Sequence, residues 1–329
     1  MPRLRVGMIQ CDLHALYYAV LMAEHDPLVL RGDGAGRDRG QAAFFYHYLH
    51  YNDPTVLTSP HLHAFEIAKC WDPNPANAEA MQRIFGAEVC DDFTQCSDDV
   101  DLVFIAECNG NGETHLAWAT PSLQKGVPTF VDKPLAYNYA DAKAILDLGE
   151  RHGTPVMSLS ILRAVPQATW FSQRLQELGQ VGYGAVYGGG TAMAGHVHAI
   201  SLAQHVFGDG VVAVEAMGSN ELSFVHLDYG GRPDRPSHGV MLNCDFGPMY
   251  HCSYQVSAFG ERGAIHSGNI GDFEFPAGAC EIVHRIKRMV ETRQATEPPA
   301  PMLENIAVAT AARLAQRERR RVPVHEVMG

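Results

Sequence analysis

Asp132-Lys133-Pro134 sets an acid and an amine side by side at the end of an apolar run, Val127-Pro128-Thr129-Phe130-Val131. The run reads as a buried strand. Charged groups that close a buried strand at the carboxyl edge of a parallel sheet lie where ligands bind. A lysine withdrawn from water there can shift its proton affinity enough to move protons. For the triplet alone, a surface turn with a salt-bridged pair is the plainer alternative.

Histidine offers a second chemistry. The chain has 17 of them, and two His-x-His pairs stand out, His61-Leu62-His63 and His196-Val197-His198. On extended backbone, residues two apart face one side and can present two imidazoles to one metal. For the second pair, a third ligand could come from His226, Asp228, Asp245 or His251. Exposed or hydrogen-bonded histidines are the alternative for both.

These residues need elements to position them. Arg5–Ile9, Phe65–Trp71, Leu102–Ala106, Val127–Val131 and Val156–Ser160 read as strands. Helical stretches over Leu13–Glu24, from Asn74 to Gly86, Thr114–Lys125 and Asn138–Glu150 separate them. Strands alternating with helices predict a doubly wound parallel sheet, a Rossmann-like α/β domain over residues 1–161. After about residue 162 the texture changes. Tyr183–Gly190, Val211–Met217, Gly239–Phe246 and Tyr250–Phe259 look like strands with few helices between them. They predict an α+β domain over 162–329 with a mostly antiparallel, open-faced sheet and helices near its end. An insertion over about 25–63 holds a Gly/Arg/Asp-rich stretch, Gly32–Gly40, that suits a mobile loop. The dense aromatic run Phe44–Tyr51 follows it and suits a contact with another subunit.

Bulk properties narrow the classes. Length, 329 residues, suggests two domains, and 46% hydrophobic content supplies a sizeable core. A formal net charge of −12 argues against nucleic acid or an anionic membrane as partner. No run approaches the length of a membrane span. The 8 cysteines form no Cys-x-x-Cys pair. Without a secretory leader they read as reduced thiols of a cytoplasmic protein.

The order of these features resembles the glucose–fructose oxidoreductase / inositol dehydrogenase family (Gfo/Idh/MocA). The resemblance runs from Asp101-Leu-Val-Phe-Ile-Ala through His115 to Val131-Asp132-Lys133-Pro134-Leu135-Ala136. It continues through Arg163 with Pro166, Gly188-Gly189-Gly190 leading into His198, and Phe259-Gly260-x-x-Gly263. It implies hydride transfer between NAD(P) and a hydroxyl-bearing carbon of a sugar-like or polyol substrate. It implies Lys133, with Asp132, as the proton-handling group and His198 as catalytic acid/base. Arg163 and His196 would stand near substrate, and His115, Lys133 and Asp72 near the cofactor. An acidic Asp72 closing the second strand favours NAD over NADP, because a carboxylate suits ribose hydroxyls and repels a 2′-phosphate.

The sequence departs from that pattern at three places. The glycine positions after the first strand hold Gln10, Asp12 and Ala15. Gln10 adds bulk at the turn, and the Asp12 carboxylate can itself satisfy the helix end. Glu107-Cys108 replaces the family's usual Thr-Pro. Ala194 replaces an aspartate that often lies four residues before the catalytic histidine. These changes predict weak nicotinamide binding. They leave two alternatives open: a lyase, isomerase or hydrolase independent of NAD that uses Lys133 and a His196/His198 site with a divalent metal, or a non-catalytic partner subunit. A homo-oligomer, dimer or tetramer, is expected through the open sheet face.

Overall fold

The computed structural model describes residues 2–32, 37–49, 60–246 and 252–329. The chain divides into two compact units. The first comprises Met1–Leu135, Lys143–Leu159 and Ala279–Pro298, the second Ala136–Ala142, Ser160–Gly278 and Pro299–Gly329.

The first unit is built from β1 (Leu4–Ile9), α1 (Leu13–Met22), α2 (Pro27–Gly32), α3 (Arg37–Phe44) with a π-helical turn over Phe45–Leu49, β2 (Phe65–Trp71), α4 (Pro75–Phe85), β3 (Glu88–Val89), β4 (Leu102–Ile105), α5 (His115–Gln124), β5 (Thr129–Val131), α6 (Tyr139–His152) and β6 (Val156–Met157). The sheet order is β3-β2-β1-β4-β5-β6, and every pairing is parallel. This is the doubly wound arrangement expected from the alternation of strands and helices. Every residue of β4 and β5 is buried, as an unbroken apolar strand must be when both faces are covered. Gly7 inside β1 is a close-approach position, because a Cβ there would stand 1.7 Å from the Cys96 carbonyl oxygen. Asn74 caps α4, Pro75 opens it, and Gly86 closes it in the left-handed region at φ 76°.

The insertion differs from its reading as a loop. Arg37 onward is helical, and residues 33–36 and 50–59, with part of the aromatic run, lie outside the described residues. The described aromatics pack inside their own unit. His47 is fully buried, with Nε2 2.9 Å from the Tyr17 carbonyl of α1. The Phe44 and Tyr48 rings stack at 4.9 Å.

The second unit carries α7 (Pro166–Gln173), β7 (Val181–Tyr187), α8 (Met193–Phe207), β8 (Ala213–Met217), β9 (Phe224–Asp228), β10 (Val240–Asn243), β11 (Ser253–Gly260), β12 (Gly263–His266) and β13 (Ile270–Gly271). It also holds the start of α9 (Phe275–Thr292), then α10 (Pro299–Glu318) and β14 (Val322–Pro323). The sheet order is β12-β11-β7-β10-β9-β8-β14, with β13 beside β11. All pairings are antiparallel except β10 with β7. Strands end earlier than expected: β7 stops at Tyr187, and Gly188, Gly189 and Gly190 turn the chain at φ 110°, 103° and 71° into α8. Tyr250 lies outside the described residues. One sheet face buries Val186, Val225, Leu227, Val240 and Leu242, and α8 and α10 pack on the sheet. The strand registers put Tyr183, Tyr187, Met217, Phe224, Met241 and Phe259 on the other face. There Met217 is 56% and Phe259 39% exposed.

All 8 cysteines are free thiols, most of them buried. Among the described residues no helix is long and apolar enough to cross a membrane.

Candidate active site

In the first unit the strand order reverses between β1 and β4, and in such sheets the crevice at the carboxyl ends beside that reversal is the ligand site. Gln10, just past β1, takes φ 64° and gives its N–H to the Trp71 carbonyl at 2.9 Å. A glutamine thus adopts the left-handed backbone that glycine takes without strain. Asp12 then caps α1. Its carboxylate accepts from His14 N at 2.9 Å and Ala15 N at 3.3 Å, and its other oxygen accepts from Cys108 N at 2.5 Å. The helix end is self-capped, as the carboxylate in the sequence suggested. Three N–H groups converging on one carboxylate form a donor set that fits an anionic oxygen such as a phosphate. In this conformation Asp12 supplies that anion.

Asp72 closes β2 and is 6% exposed. One oxygen accepts from Cys11 N at 2.7 Å, the other from Asn74 N at 2.7 Å and Asn77 Nδ2 at 3.1 Å. It ties the turn after β1 to the turn after β2 and opens α4, at the strand end where a ribose would be held.

Asp132 follows β5 and is 1% exposed, in direct contact with the imidazole Nδ1 of His14. Its oxygen also accepts from Glu107 N at 3.4 Å. Burial works against the His14 charge, but the Asp132 carboxylate outweighs it and raises the imidazole to about 10. Burial likewise opposes ionised Asp132, yet His14 and then Lys133 hold it down to about 2. His14 was not singled out from the sequence. It stands at an interior, unspecified position of the glycine motif, and no spacing rule connects residue 14 with residue 132.

Lys133 is 6% exposed and gives Nζ–H to the Cys108 carbonyl at 2.6 Å. Its peptide bond to Pro134 is cis. Cys108 therefore serves Asp12 through its N–H and Lys133 through its carbonyl. Two of the three departures, Asp12 and Glu107-Cys108, turn out to be wired together around the lysine. Glu107 accepts from Gly112 N at 2.8 Å and faces His115 Nε2 at 3.2 Å. Burial opposes the Glu107 charge, and His115 and the Gly112 N–H hold its carboxyl below the ordinary value. His115 is fully buried and directs Nδ1 to the Pro134 carbonyl at 2.9 Å. It is a strut between two loops, so any influence on a ligand passes through those loops.

In the second unit the His196/His198 pair departs from the extended segment expected. Both residues lie on α8, where positions two apart diverge by about 200° around the axis. They cannot offer two imidazoles to one side. His196 is fully buried, and burial, aided by Arg313, pushes it down to about 3. It is a neutral core histidine. The proposed third ligands have other work: His226 faces the His238 carbonyl at 2.9 Å, Asp228 pairs with Arg321, and Asp245 accepts from Ser223 Oγ at 2.9 Å. His251 lies outside the described residues. His61 and His63 do sit together, with ring centroids 5.3 Å apart. Among the described residues, however, no group of three or more His, Cys, Asp and Glu is placed to hold a metal. The metal alternative is set aside.

His198 is 9% exposed, and its Nδ1 lies 2.7 Å from Ser160 Oγ, which also accepts from Leu162 N at 3.3 Å. Ser160 gives His198 a polar partner that Ala194 cannot supply. No spacing rule linked Ser160 to His198. The Tyr254 ring meets the imidazole edge-on at 6.1 Å. Arg163 ends the short 3₁₀ turn Ile161–Arg163 that Ser160 caps.

A family model described as an oxidoreductase family with an NAD-binding Rossmann fold matches residues 42–159. Inositol 2-dehydrogenase of Paracoccus denitrificans (strain Pd 1222) is 31% identical over 99 residues, which span 30% of this chain and 29% of that protein. Full-length likeness appears among solved structures. The apo scyllo-inositol dehydrogenase of Lactobacillus casei has a TM-score of 0.72 at 13% identity, over 98% of both chains. An oxidoreductase from Agrobacterium radiobacter, solved with NAD+, L-tartaric acid and magnesium, has a TM-score of 0.69 at 15% identity, over 99% of both. At such identities the structures speak for fold. Over residues 42–159 the chain is therefore similar to the Gfo/Idh/MocA oxidoreductases, and over its full length it shares the fold of their solved structures.

Proposed function

We propose that the protein is an NAD-linked oxidoreductase acting on a sugar-like or polyol substrate, with inositols as the first class to try. The observation that carries this reading is Lys133, an amine held in a nearly buried site at the carboxyl edge of β5. The residues that would hold NAD are the N–H donors of His14, Ala15 and Cys108 now facing Asp12, together with Gln10 at the turn, Asp72 at the β2 end and Lys133. His115 would support the same loops from beneath. When bound, the nicotinamide would take or give the hydride, leaving the protein to manage the proton. Lys133, braced by Asp132, is the proposed proton-handling group. His198 in the second unit is the proposed acid/base group, Ser160 its positioning residue, and Arg163 a candidate substrate contact. His196 supports the same helix from the core. A cytoplasmic homo-oligomer fits the reduced thiols and the apolar open sheet face.

The test has two parts. NADH and NADPH are titrated by fluorescence, and turnover is then followed at saturating nucleotide over a panel of inositols, other polyols and their ketones. Nucleotide binding with turnover of one class supports the reading. Absence of both would sink it.

A further inference from the structure

His14, on the first turn of α1, is a titratable side chain that the family resemblance does not account for. Its Nδ1 edge covers the Asp132 carboxylate, which is 1% exposed, while the imidazole itself remains 24% exposed. One edge of the ring is thus committed to a buried anion and the other is turned away from it. Lys133, the next residue, and Cys108 also act electrostatically on the ring. Lys133 has given its ammonium to the Cys108 carbonyl at 2.6 Å. The other titratable neighbours are Asp12 at the helix cap, Glu107, whose N–H approaches Asp132, and Tyr18, whose ring meets His14 edge-on at 6.3 Å.

We propose that His14, oriented by Asp132, is a further catalytic residue that delivers the proton to the reacting oxygen of the substrate. The proposal rests on the oxidoreductase reading, in which Lys133 and His198 already handle protons, and assigns to His14 the step that protonates the reacting oxygen. In the reducing direction the carbonyl carbon takes up the hydride and its C=O π bond opens onto oxygen. The His14 Nε2–H bond breaks, an O–H bond forms, and the imidazole is left neutral beside ionised Asp132. The ring, 24% exposed, then recovers a proton from water. Asp132 does not itself change protonation. It stabilises the imidazolium before the step and fixes Nδ1 as the bonded nitrogen, so that only Nε2 can serve substrate. Because the pair holds its proton to about 10, it is poised as an acid at neutral pH. Reduction is therefore favoured there, and oxidation needs the dyad to lose its proton first. An anionic oxygen could also come from a dinucleotide phosphate, and the experiment separates the two.

The experiment pairs histidine-selective NMR of the whole protein with kinetics of His14→Gln. Glutamine keeps a donor for Asp132 but cannot release a proton in this range. We expect wild-type His14 to carry protons on both nitrogens at pH 8, to lose one only near 10, and to shift when an inositol ketone is added with NADH. We expect His14→Gln to lower kcat for reduction roughly 10²–10⁴-fold, with NADH affinity within a few-fold of wild type. A wild-type kcat for reduction, or a loss confined to NADH affinity, overturns the proposal; the latter would assign the cation to the cofactor. If His14→Gln fails to fold, the wild-type spectrum decides: a His14 neutral at pH 8, or unmoved by the ketone, overturns it. If wild type turns over no member of the panel, the oxidoreductase reading fails, and the response of His14 to the ketone still decides whether this ring meets the oxygen.

Discussion

Ser160 Oγ lies 2.7 Å from His198 Nδ1, and both side chains are buried. Ser160 Oγ accepts from the Leu162 N–H and can still either donate to Nδ1 or accept from it. We predict that it donates, which puts the proton of a neutral ring on Nε2. An aspartate partner would impose the opposite tautomer, since a carboxylate only accepts. We predict that Ser160→Ala mixes the two tautomers and lowers kcat/KM about tenfold, near the worth of one hydrogen bond. Nitrogen-15 NMR of His198 together with steady-state kinetics checks this. An unchanged tautomer in the variant would remove Ser160 as positioning residue.

Lys133 is predicted to be essential. Its nearly buried amine and short bond to Cys108 fix it at the strand end. Lys133→Ala, folded as judged by circular dichroism and melting temperature, is expected to lose roughly 10²–10⁴ in kcat. Lys133→Arg should not recover it, because a guanidinium holds its proton too tightly. Full activity in the alanine variant would take Lys133 out of the mechanism.

Asp12 occupies the three N–H donors proposed to hold the pyrophosphate of a dinucleotide. Dinucleotide binding must displace this carboxylate or work around it. We predict wild-type binding weaker than about 1 μM, and a gain of about tenfold for Asp12→Gly. The same variant loses a side-chain helix cap, at a cost of about a few tenths of a kcal/mol, since glycine is itself tolerated at that position. Calorimetric titration with NADH and urea unfolding measure the two effects. Equal affinity in both proteins would show that the carboxylate does not compete.

The His14–Asp132 pair should make stability depend on pH in a definite sense. His14 has a folded value of about 10 against an ordinary 6.5. Its contribution is complete below 6.5, declines above that, and is gone once pH passes 10. Asp132 has a folded value of about 2 against an ordinary 3.8, so its contribution is complete above 3.8 and lost as pH falls through 2. The difference in unfolding free energy between wild type and Asp132→Asn is therefore expected to be largest between pH 3.8 and 6.5. There it should amount to about 3 kcal/mol. Urea titrations across pH give the curve. A difference that keeps growing above pH 8 would contradict the assignment.

Met217, Phe224, Met241, Tyr183, Tyr187 and Phe259 share one face of the second sheet. Such a face is covered in most proteins that carry one. We predict a homo-oligomer, and light scattering at low micromolar concentration should give a mass at or above twice the 36.0 kDa of one chain. Met217→Glu with Phe259→Glu should shift it toward monomer. A clean monomer for wild type would rule out this face as an interface between copies.

Some of this was fixed by local sequence. Alternating strand and helix patterns gave the parallel sheet because each element buries a face with its own period. Apolar runs gave β4 and β5, Asn74-Pro75 and Gly86 gave the bounds of α4, and the Lys133 triplet fell at a strand end because the strand is short and unbroken. Asp12 announced its own cap, since the carboxylate and the helix it serves are adjacent in the chain. Tertiary structure decided the rest. The His196–His198 spacing suits a strand, yet helix α8 formed there, because a helix buries that apolar stretch against the sheet and points the two rings apart. His14 meets Asp132 across 118 positions, and Ser160 meets His198 across 38. No periodicity records such pairs. They exist because β1 and β5 end on the same edge of one sheet, and because the turn after β6 lies against α8 within the second unit.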